Sequence, residues 1–391
     1  MVLKLKDEFP LCRKYIYFDC AAEGVLPLST IKRIEEYEGD LKALFLGEVP
    51  WKDQLDKWTE SRMNSKKLFA ELIGCGPDEV AFASNATNGL NTAFAMIPIK
   101  RGQNIVTTDM EFHMCNNLVN NQRRRGAEPR FIKNTDGVVT IDDFEKAVDD
   151  KTAIVMVDNP TWYNGYLHDI KALSGLAHDH GAKLIVDATQ GVGSIDWEAK
   201  KWGVDFAAVS TYKWIMGGPF SQCAGFLYAC KEASDKYHPP VIGGWPFDTV
   251  PQPTKKGANY FTYKIKAKKG VGRFEVYTRS EVAYVAADNS MKVLLSHGKK
   301  EVERQVRDVD NAVYNAAVEA GYKMASPRDE TKRMFLGINI KDPQIVADKL
   351  YERRCVASVR VGFLRLSPHF YNTVEEAENF ISELKKVAPS S

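Results

Sequence analysis

The sequence predicts an α/β domain with a mostly parallel sheet, followed by a smaller α+β domain. Two observations support this prediction. Short β-branched runs recur with helix-patterned segments between them, and the runs are continuously apolar, which is typical of strands buried on both faces. After about residue 235 the composition changes to a stretch rich in Pro and Gly, which is typical of a long irregular connection between domains.

Each predicted strand of the first domain is an apolar run that ends in polar or small residues. The runs are NIVTTD (104–109), PRFIK (129–133), AIVMVD (153–158), KLIVDA (183–188), FAAVST (206–211) and AGFLYAC (224–230). Between two of them, residues 169–183 place apolar side chains at helical spacing, and Gly181 stands where a helix would end. This alternation of strand and helix predicts a mostly parallel sheet.

The second domain is predicted from the residues after the Pro- and Gly-rich stretch at 238–257. From Ser280 the chain is helix-patterned, SVRVGFLRLS (358–367) predicts one strand, and TVEEAENFISELKKV (373–387) predicts a closing helix with a Thr N-cap and acidic residues in its first turn. We therefore divide the 391 residues into a large domain, 20–265, and a small domain, 266–391, which also takes the N-terminal segment 1–19.

The charge balance, the cysteines and the N-terminus exclude several classes of protein. Lys plus Arg number 53 and Asp plus Glu number 51, so no strong field draws the chain to nucleic acid or anionic lipid. Seven scattered cysteines form no CxxC pair, so neither a disulfide framework nor a zinc site is expected. No secretory signal or membrane-spanning run is visible. We expect a cytoplasmic protein that binds no nucleic acid, membrane or metal.

Polar side chains follow four apolar runs, at the strand ends where open α/β sheets bind ligands. Asp187 and Gln190 lie at one such end, Ser210 and Lys213 at another, Thr87 follows VAFA (80–83), and His113 follows the run at 104–109. Each has an ordinary structural explanation when taken alone. Asp187 would be a helix N-cap or a magnesium ligand, Lys213 a surface lysine, and His113 a hydrogen-bonded core histidine.

Together these residues describe the binding site of one cofactor. Lys213 is flanked by Tyr212 and Trp214, so its amine would be partly desolvated, which favours the neutral form that reacts with an aldehyde. The Asp187 carboxylate is what a pyridinium nitrogen needs in order to stay protonated. A helix N-terminus with hydroxyl side chains offers N–H donors for a phosphate. An aldehyde, a pyridine ring and a phosphate are the parts of pyridoxal phosphate.

The order TNGLN, EFH, VDATQ, STYK and RLSPHFYNT resembles the class V aminotransferase family of fold-type I pyridoxal-phosphate enzymes, in the cysteine desulfurase and isopenicillin N epimerase-like branch. The resemblance runs from YFDCAAEGVLP (17–27) to the C-terminal helix, and the pair VDATQ and STYKW is its most specific element. It implies the fold-type I architecture: a large domain with a mostly parallel seven-stranded sheet and a smaller α+β C-terminal domain.

The resemblance also implies roles for residues around the cofactor ring. Lys213 would bind the cofactor covalently and later move the proton at the substrate Cα. Asp187 would bind the pyridine nitrogen, Gln190 the ring 3-hydroxyl, and His113 would stack on the exposed ring face.

Other implied contacts concern the phosphate and the substrate. The phosphate would be held by Thr87, the backbone at Ala86, Ser210 and Tyr212. Tyr212 takes the position where many desulfurases have a histidine. Family enzymes are homodimers with shared sites, and FEVYT (274–278) resembles the FExGT motif, so Thr278 would reach the phosphate of the other subunit. A small amino acid would be the substrate, with its α-carboxylate on Arg365 and its pocket lined by Ala22.

Four positions depart from the desulfurase pattern. Only VRVGFL (359–364) separates Ser358 from Arg365, so the reactive loop cysteine is missing, and the nearby Cys355 is expected to be an apolar filler. Trp162 stands where desulfurases have an asparagine near the ring 3-hydroxyl. Cys20 replaces the asparagine of the usual DNAA segment, and Tyr277 replaces the glycine of FExGT.

The departures bear on which reaction the chain catalyses. The branch favours a sulfur-containing amino acid, and the missing thiol disfavours persulfide transfer to an acceptor protein, so a desulfurase-like or C–S lyase reaction is expected. Transamination and racemisation or epimerisation remain open, as does a catalytically retired binding subunit. An NAD-dependent oxidoreductase is disfavoured because no GxGxxG follows a first strand.

Overall fold

The strands of the chain were located in a computed structural model, which describes residues 2–238, 240–241, 268–275 and 280–389. In chain order they are β1 Ile16–Tyr17, β2 Val80–Ala83, β3 Asn104–Thr108, β4 Glu128–Ile132, β5 Thr152–Asp158, β6 Lys183–Asp187, β7 Phe206–Ser210, β8 Gly225–Ala229, β9 Lys323–Met324, β10 Leu336–Asn339, β11 Cys355–Val356, β12 Ser358–Arg360 and β13 Phe363–Leu366.

The α-helices fill most of the segments between these strands. They are α1 Val2–Glu8, α2 Leu28–Phe45, α3 Trp51–Leu72, α4 Ala86–Met96, α5 His113–Asn121, α6 Ile141–Ala147, α7 Ile170–Asp179, α8 Lys231–Lys236, α9 Glu281–His297, α10 Lys299–Glu319, α11 Pro343–Glu352 and α12 Val374–Val387. Within the described ranges, no helix is both long and apolar enough to span a membrane.

A seven-stranded sheet in the order β2-β8-β7-β6-β5-β3-β4 forms the centre of the larger, N-terminal part of the chain. Its pairings are parallel except those of β8, which is antiparallel to both β2 and β7. All six predicted runs are strands of this sheet, with ends within two residues of the prediction. The predicted mostly parallel seven-stranded sheet is therefore confirmed.

Alternate residues of the central strands belong to two different apolar clusters. On β6, Val186 packs in one cluster and Ile185 in the other, and on β7 Val209 and Ala208 divide in the same way. Because successive side chains point to opposite faces of a sheet, this division means that both faces are covered. The continuously apolar runs of the sequence have this origin.

A four-stranded antiparallel sheet in the order β12-β13-β10-β9 belongs to the smaller C-terminal part. β1 pairs separately with β11, which ties the N-terminal segment to the C-terminal part of the chain. Helix α12 begins where the sequence indicated, with Thr373 as N-cap in a reciprocal pair with Glu376. The predicted boundary between residues 265 and 266 lies outside the described residues.

The segment 358–367 is a hairpin and not the single strand that the sequence predicts. Val361 and Gly362 form a two-residue turn between β12 and β13, with φ of 50° and 81°. Positive φ at both central positions is the geometry that joins two antiparallel strands tightly. The prediction was wrong because the apolar pattern continues through the turn, and Val is an unusual residue at positive φ.

Candidate active site

A cleft at the carboxyl ends of β5, β6 and β7 collects most of the predicted site residues. Strand pairing aligns Asp158 with Asp187 and Asp187 with Ala208, so the polar residues at these ends are neighbours. Seven of the predicted residues line the cleft: Ala86, Thr87, Asp187, Gln190, Ser210, Tyr212 and Lys213. The remaining lining residues are Phe112, Met114, Asp158, Trp162 and Thr189.

Lys213 lies just after β7, in a turn held by the N-terminal segment. The Gly24 N–H donates to the Tyr212 carbonyl at 2.9 Å, and a Cβ on Gly24 would lie 2.0 Å from the Lys213 carbonyl oxygen. Only glycine therefore allows this approach of the two backbones. The Lys213 Nζ lies 5.8 Å from the centre of the Phe112 ring and 5.6 Å from that of Tyr212.

The surroundings of Lys213 disfavour its ammonium form. Burial, aided by the positive charge of Arg365, lowers the pKa of Lys213 to about 8, although Asp187 opposes this shift. An amine with this pKa is neutral far more often at physiological pH than an exposed lysine amine is. The structure therefore agrees with the sequence argument that this amine is available as a nucleophile.

Asp187 is one of three buried carboxylates at this edge of the sheet. Its Oδ1 accepts from the Thr189 N–H at 3.0 Å, and its Oδ2 accepts from the Cys115 thiol at 3.7 Å. Glu111 accepts from the Asp158 N–H and, at 2.7 Å, from the Thr108 hydroxyl.

Burial raises the pKa of both Glu111 and Asp158. A raised pKa lowers the fraction of these two groups that is charged, which reduces the like-charge repulsion on Asp187 in the cleft lining.

The amide of Gln190 has a fixed orientation. Its Nε2 donates to the Ala21 carbonyl at 3.1 Å, and its Oε1 accepts from the Trp214 indole N–H at 2.7 Å. The Nε2 has a second hydrogen, so it can also donate to a ring oxygen in the cleft. This network explains why a tryptophan follows Lys213 in the sequence.

The N-terminus of α4 forms another wall of the cleft. Asn85 caps the helix by accepting from the Asn88 N–H at 2.9 Å, and the Ala86 N–H donates to the Ser210 hydroxyl at 2.9 Å. Thr87, which follows Ala86, is exposed. Backbone donors, two hydroxyls and the positive end of a helix dipole suit a phosphate.

Phe112, which the sequence analysis missed, lines the cleft, whereas the neighbouring His113 does not. Asp158 Oδ2 accepts from the Phe112 N–H at 3.1 Å, which holds the Phe112 backbone at the cleft. His113 is the first residue of α5, is exposed, and is absent from the cleft lining. The only sequence signal for Phe112 was its aromatic character next to the histidine.

Arg365 lies beside the cleft but is not part of its lining, and it is 1% exposed. Its guanidinium donates to the Trp162 carbonyl at 2.9 Å, to Ser358 Oγ at 3.1 Å and to Asp19 Oδ1 at 3.2 Å. Burial lowers the pKa of Arg365 to about 10. Ala22 is half-buried, lies outside the lining and donates its N–H to the Asp19 carbonyl at 3.0 Å.

The departures from the desulfurase pattern have distinct positions. Trp162 lines the cleft. Cys20 is buried outside it, and its thiol contacts the Lys213 carbonyl at 3.8 Å. Cys355 lies on β11 in the apolar cluster of the small sheet, where burial raises its pKa to about 11. Thr278 and Tyr277 lie outside the described residues.

The donor set of the cleft fits pyridoxal phosphate. The amine suits the aldehyde, the carboxylate the ring nitrogen, the amide a ring oxygen, and the helix N-terminus with its hydroxyls the phosphate. Among the residues that the structure describes, no group of His, Cys, Asp or Glu side chains is arranged to hold a metal ion.

Comparisons with known proteins agree along nearly the whole chain. The family model described as Aminotransferase class-V matches residues 16–380. An uncharacterized aminotransferase of Bacillus subtilis is 26% identical over 96% of this chain and 95% of its own length. A probable cysteine desulfurase of Pyrococcus abyssi is 28% identical over 99% and 97%. The apo structure of a cysteine desulfurase from Thermococcus onnurineus superposes with a TM-score of 0.84 at 24% identity, covering 99% and 98%.

Proposed function

Because this chain belongs to the aminotransferase class-V family, we propose that it is a pyridoxal-phosphate enzyme that cleaves the C–S bond of a sulfur-containing amino acid and releases the sulfur directly. The 28% identity to a probable cysteine desulfurase supports this substrate class. One observation carries the direct release of sulfur. The β12–β13 connection is a two-residue turn, so there is no loop between Ser358 and Arg365 on which a cysteine could reach the substrate.

The residues of the cleft divide the work of this reaction. When bound, pyridoxal phosphate supplies an aldehyde that bonds the substrate amine and a ring that accepts the electron pair freed at Cα. Lys213 would hold the cofactor through its amine and would take the proton from the substrate Cα, which does not regain it because Cα becomes the carbonyl carbon of pyruvate. Asp187 keeps a proton on the ring nitrogen. Gln190 binds the ring 3-oxygen.

The remaining residues hold the ends of the cofactor and the substrate. Thr87, Ser210 and Tyr212, together with the backbone at Ala86, bind the phosphate. Phe112 covers the ring face in place of His113.

Arg365 binds the substrate carboxylate by exchanging its hydrogen bond to Asp19 for a bidentate pair. Ala22 lies beside Asp19 at the substrate end.

The test is an assay of the purified holoenzyme with a panel of amino acids that includes cysteine and cystine. In C–S cleavage of cysteine, the electron pair of the Cβ–S bond leaves with sulfur, and water releases the remainder as pyruvate and ammonia. We expect sulfide and pyruvate in equal amounts without an acceptor protein. A keto acid formed only with an amino acceptor would indicate transamination, and an inverted amino acid would indicate racemisation or epimerisation. Either result would replace the proposal.

Replacing Cys355 should leave turnover nearly intact. Because this thiol is buried in the apolar cluster of the small part and does not line the cleft, we expect Cys355→Ala and Cys355→Ser to keep kcat within about twofold. The serine variant should lose about 1–3 kcal/mol in the free energy of unfolding, because its hydroxyl is buried among apolar groups. Sulfide release and thermal unfolding measure the two effects. Complete loss of sulfide release in both folded variants would indicate that sulfur passes through a persulfide on Cys355.

Replacing Phe112 should weaken cofactor binding, whereas replacing its neighbour His113 should not. Loss of an aromatic ring that packs on the cofactor should weaken cofactor binding by about tenfold or more in Phe112→Ala. His113→Ala, the matched control, should bind the cofactor within about threefold of the wild type because its side chain is exposed. Titration of the two cofactor-free variants with pyridoxal phosphate gives their dissociation constants. Weaker binding in His113→Ala than in Phe112→Ala would assign the stacking role to His113.

The capture of cofactor should depend on pH through Lys213. Only the neutral amine adds to the aldehyde, and with a pKa of about 8 roughly a tenth of the amines are neutral at pH 7 and most are neutral at pH 9. We expect the rate at which cofactor-free protein binds pyridoxal phosphate to rise about tenfold over this interval and then level off. Stopped-flow absorbance measures the rate. A rise that continues beyond about pH 10 would contradict the lowered pKa.

We also propose a cytoplasmic homodimer with shared active sites and no nucleic-acid or membrane partner. The exposed position of Thr87 supports completion of the phosphate site by a second subunit, through Thr278. All seven cysteines are free, which supports a reducing compartment. Light scattering of the holoenzyme should give twice the chain mass, and a monomer with full activity would refute shared sites.

A further inference from the structure

A second cavity, larger than the cleft, lies between the large sheet layer and the small C-terminal part. Its volume is about 840 Å³, within the usual range of small-molecule sites. One wall comes from residues 136–144 and from 166–173, including the start of α7. The other wall comes from α10 and the segment 322–332. None of the residues that line the catalytic cleft lines this cavity.

The walls of the cavity are apolar and rich in aromatic rings. Phe144, Tyr166, Tyr314 and Tyr322 contribute the rings, and Val318 of α10 lies among the aliphatic residues. The Tyr166 hydroxyl is already bound to the Val139 carbonyl at 2.9 Å, so this side chain presents mainly its ring. Such walls favour a flat apolar ligand.

One buried polar group in this wall has no partner. His168 is 6% exposed, and its Nε2 makes no hydrogen bond among the described residues. Its ring is fixed by edge contacts with Phe144 and Tyr166, at 5.8 Å and 5.0 Å between ring centres. Because this nitrogen is itself inaccessible, His168 contributes to the wall of the cavity through the rest of its ring.

Three cations at the mouth of the cavity are available to pair with an anion. Lys323, Arg328 and Lys332 are exposed there and form no ion pair with any residue the structure describes. Three carboxylates also line the mouth, but Asp169 caps α7 through the Ala172 N–H, and Asp329 accepts from Thr331. The third, Asp136, lies in a turn.

We propose that this cavity binds a small aromatic carboxylate. The rings of the ligand would lie between the aromatic walls, and its carboxylate would face the cations at the mouth. This site is separate from the amino-acid site, so the inference does not depend on the reaction proposed above.

The test uses 1-naphthaleneacetate as the probe and calorimetric titration of the holoenzyme. Val318→Trp would place a large ring in the cavity, and because Val318 is 46% exposed, the change should not disturb the protein core. The matched control is Val374→Trp, since Val374 is also 46% exposed but lies outside the cavity. We expect Val318→Trp to weaken binding at least tenfold and Val374→Trp to leave it within twofold. The neutral amide of the same probe should bind at least threefold more weakly, and the Arg328→Gln/Lys332→Gln double variant should remove this preference.

Three results would overturn the proposal. The first is a wild-type holoenzyme that gives no saturable binding of the probe. The second is unchanged binding in Val318→Trp, which would place the probe elsewhere, including the catalytic cleft. The third is equal binding of the acid and the amide, which would leave the cations without a role.

Discussion

Replacing Lys213 with alanine should lower kcat by at least about 10³-fold and remove the covalent link to the cofactor. The amine is the group that bonds the aldehyde and moves the proton at Cα, and no other lysine lines the cleft. Stability should not fall, because burial disfavours the ammonium form of Lys213 and alanine removes that cost. Turnover, the visible absorbance of the bound cofactor and thermal unfolding measure the three effects.

Lys171→Ala is the matched control, since Lys171 is exposed on α7 and distant from the cleft lining. It should behave as the wild type in all three measurements. Borohydride reduction followed by peptide mapping should label Lys213 in the wild type and leave its alanine variant unlabelled. A Lys213→Ala variant with near-normal turnover, or a label on another lysine, would refute the site.

Asp187→Asn should lower kcat by about 10²- to 10³-fold while the protein still binds the cofactor. The amide has the shape of the carboxylate but cannot keep a proton on the ring nitrogen, so the ring accepts electrons poorly. The negative charge of Asp187 also raises the pKa of the buried Glu111 and Asp158, so a neutral amide removes this unfavourable interaction and the free energy of unfolding should stay equal or increase. Loss of activity without loss of stability separates a chemical role from a structural one.

Asp235→Asn, on the exposed side of α8, is the control for this change of charge. The absorbance of the bound cofactor should change with pH differently in Asp187→Asn than in the control, because the ring nitrogen has lost its anion. Identical absorbance and identical turnover in both variants would show that Asp187 does not contact the ring.

The sheet was predictable because its signal is local in the sequence. A strand covered on both faces needs consecutive apolar residues, and each of the six runs has them, so its ends could be read to within two residues. Asp187, Gln190 and Lys213 were predictable for a related reason. Asp187 ends one strand, Gln190 and Lys213 come three residues after strand ends, and the parallel sheet brings such positions to one edge.

The errors occurred where neighbours in space decide the outcome. The apolar pattern of 358–367 does not reveal that Val361 takes positive φ, which turned one predicted strand into a hairpin. His113 and Phe112 are adjacent in sequence, and the choice between them depends on Asp158, whose carboxylate holds the Phe112 N–H from another strand. No pattern within the segment contains that contact.

The amino-acid sequence alone determined the class of fold, the polar residues at the strand ends and the cofactor chemistry, because these depend on residue types at short spacing. The tertiary structure decided which aromatic ring faces the cleft, that Arg365 is held by Asp19, and that a second cavity lies beneath α10. Those features depend on distances between residues far apart in the chain, and such distances are set only when the layers pack together.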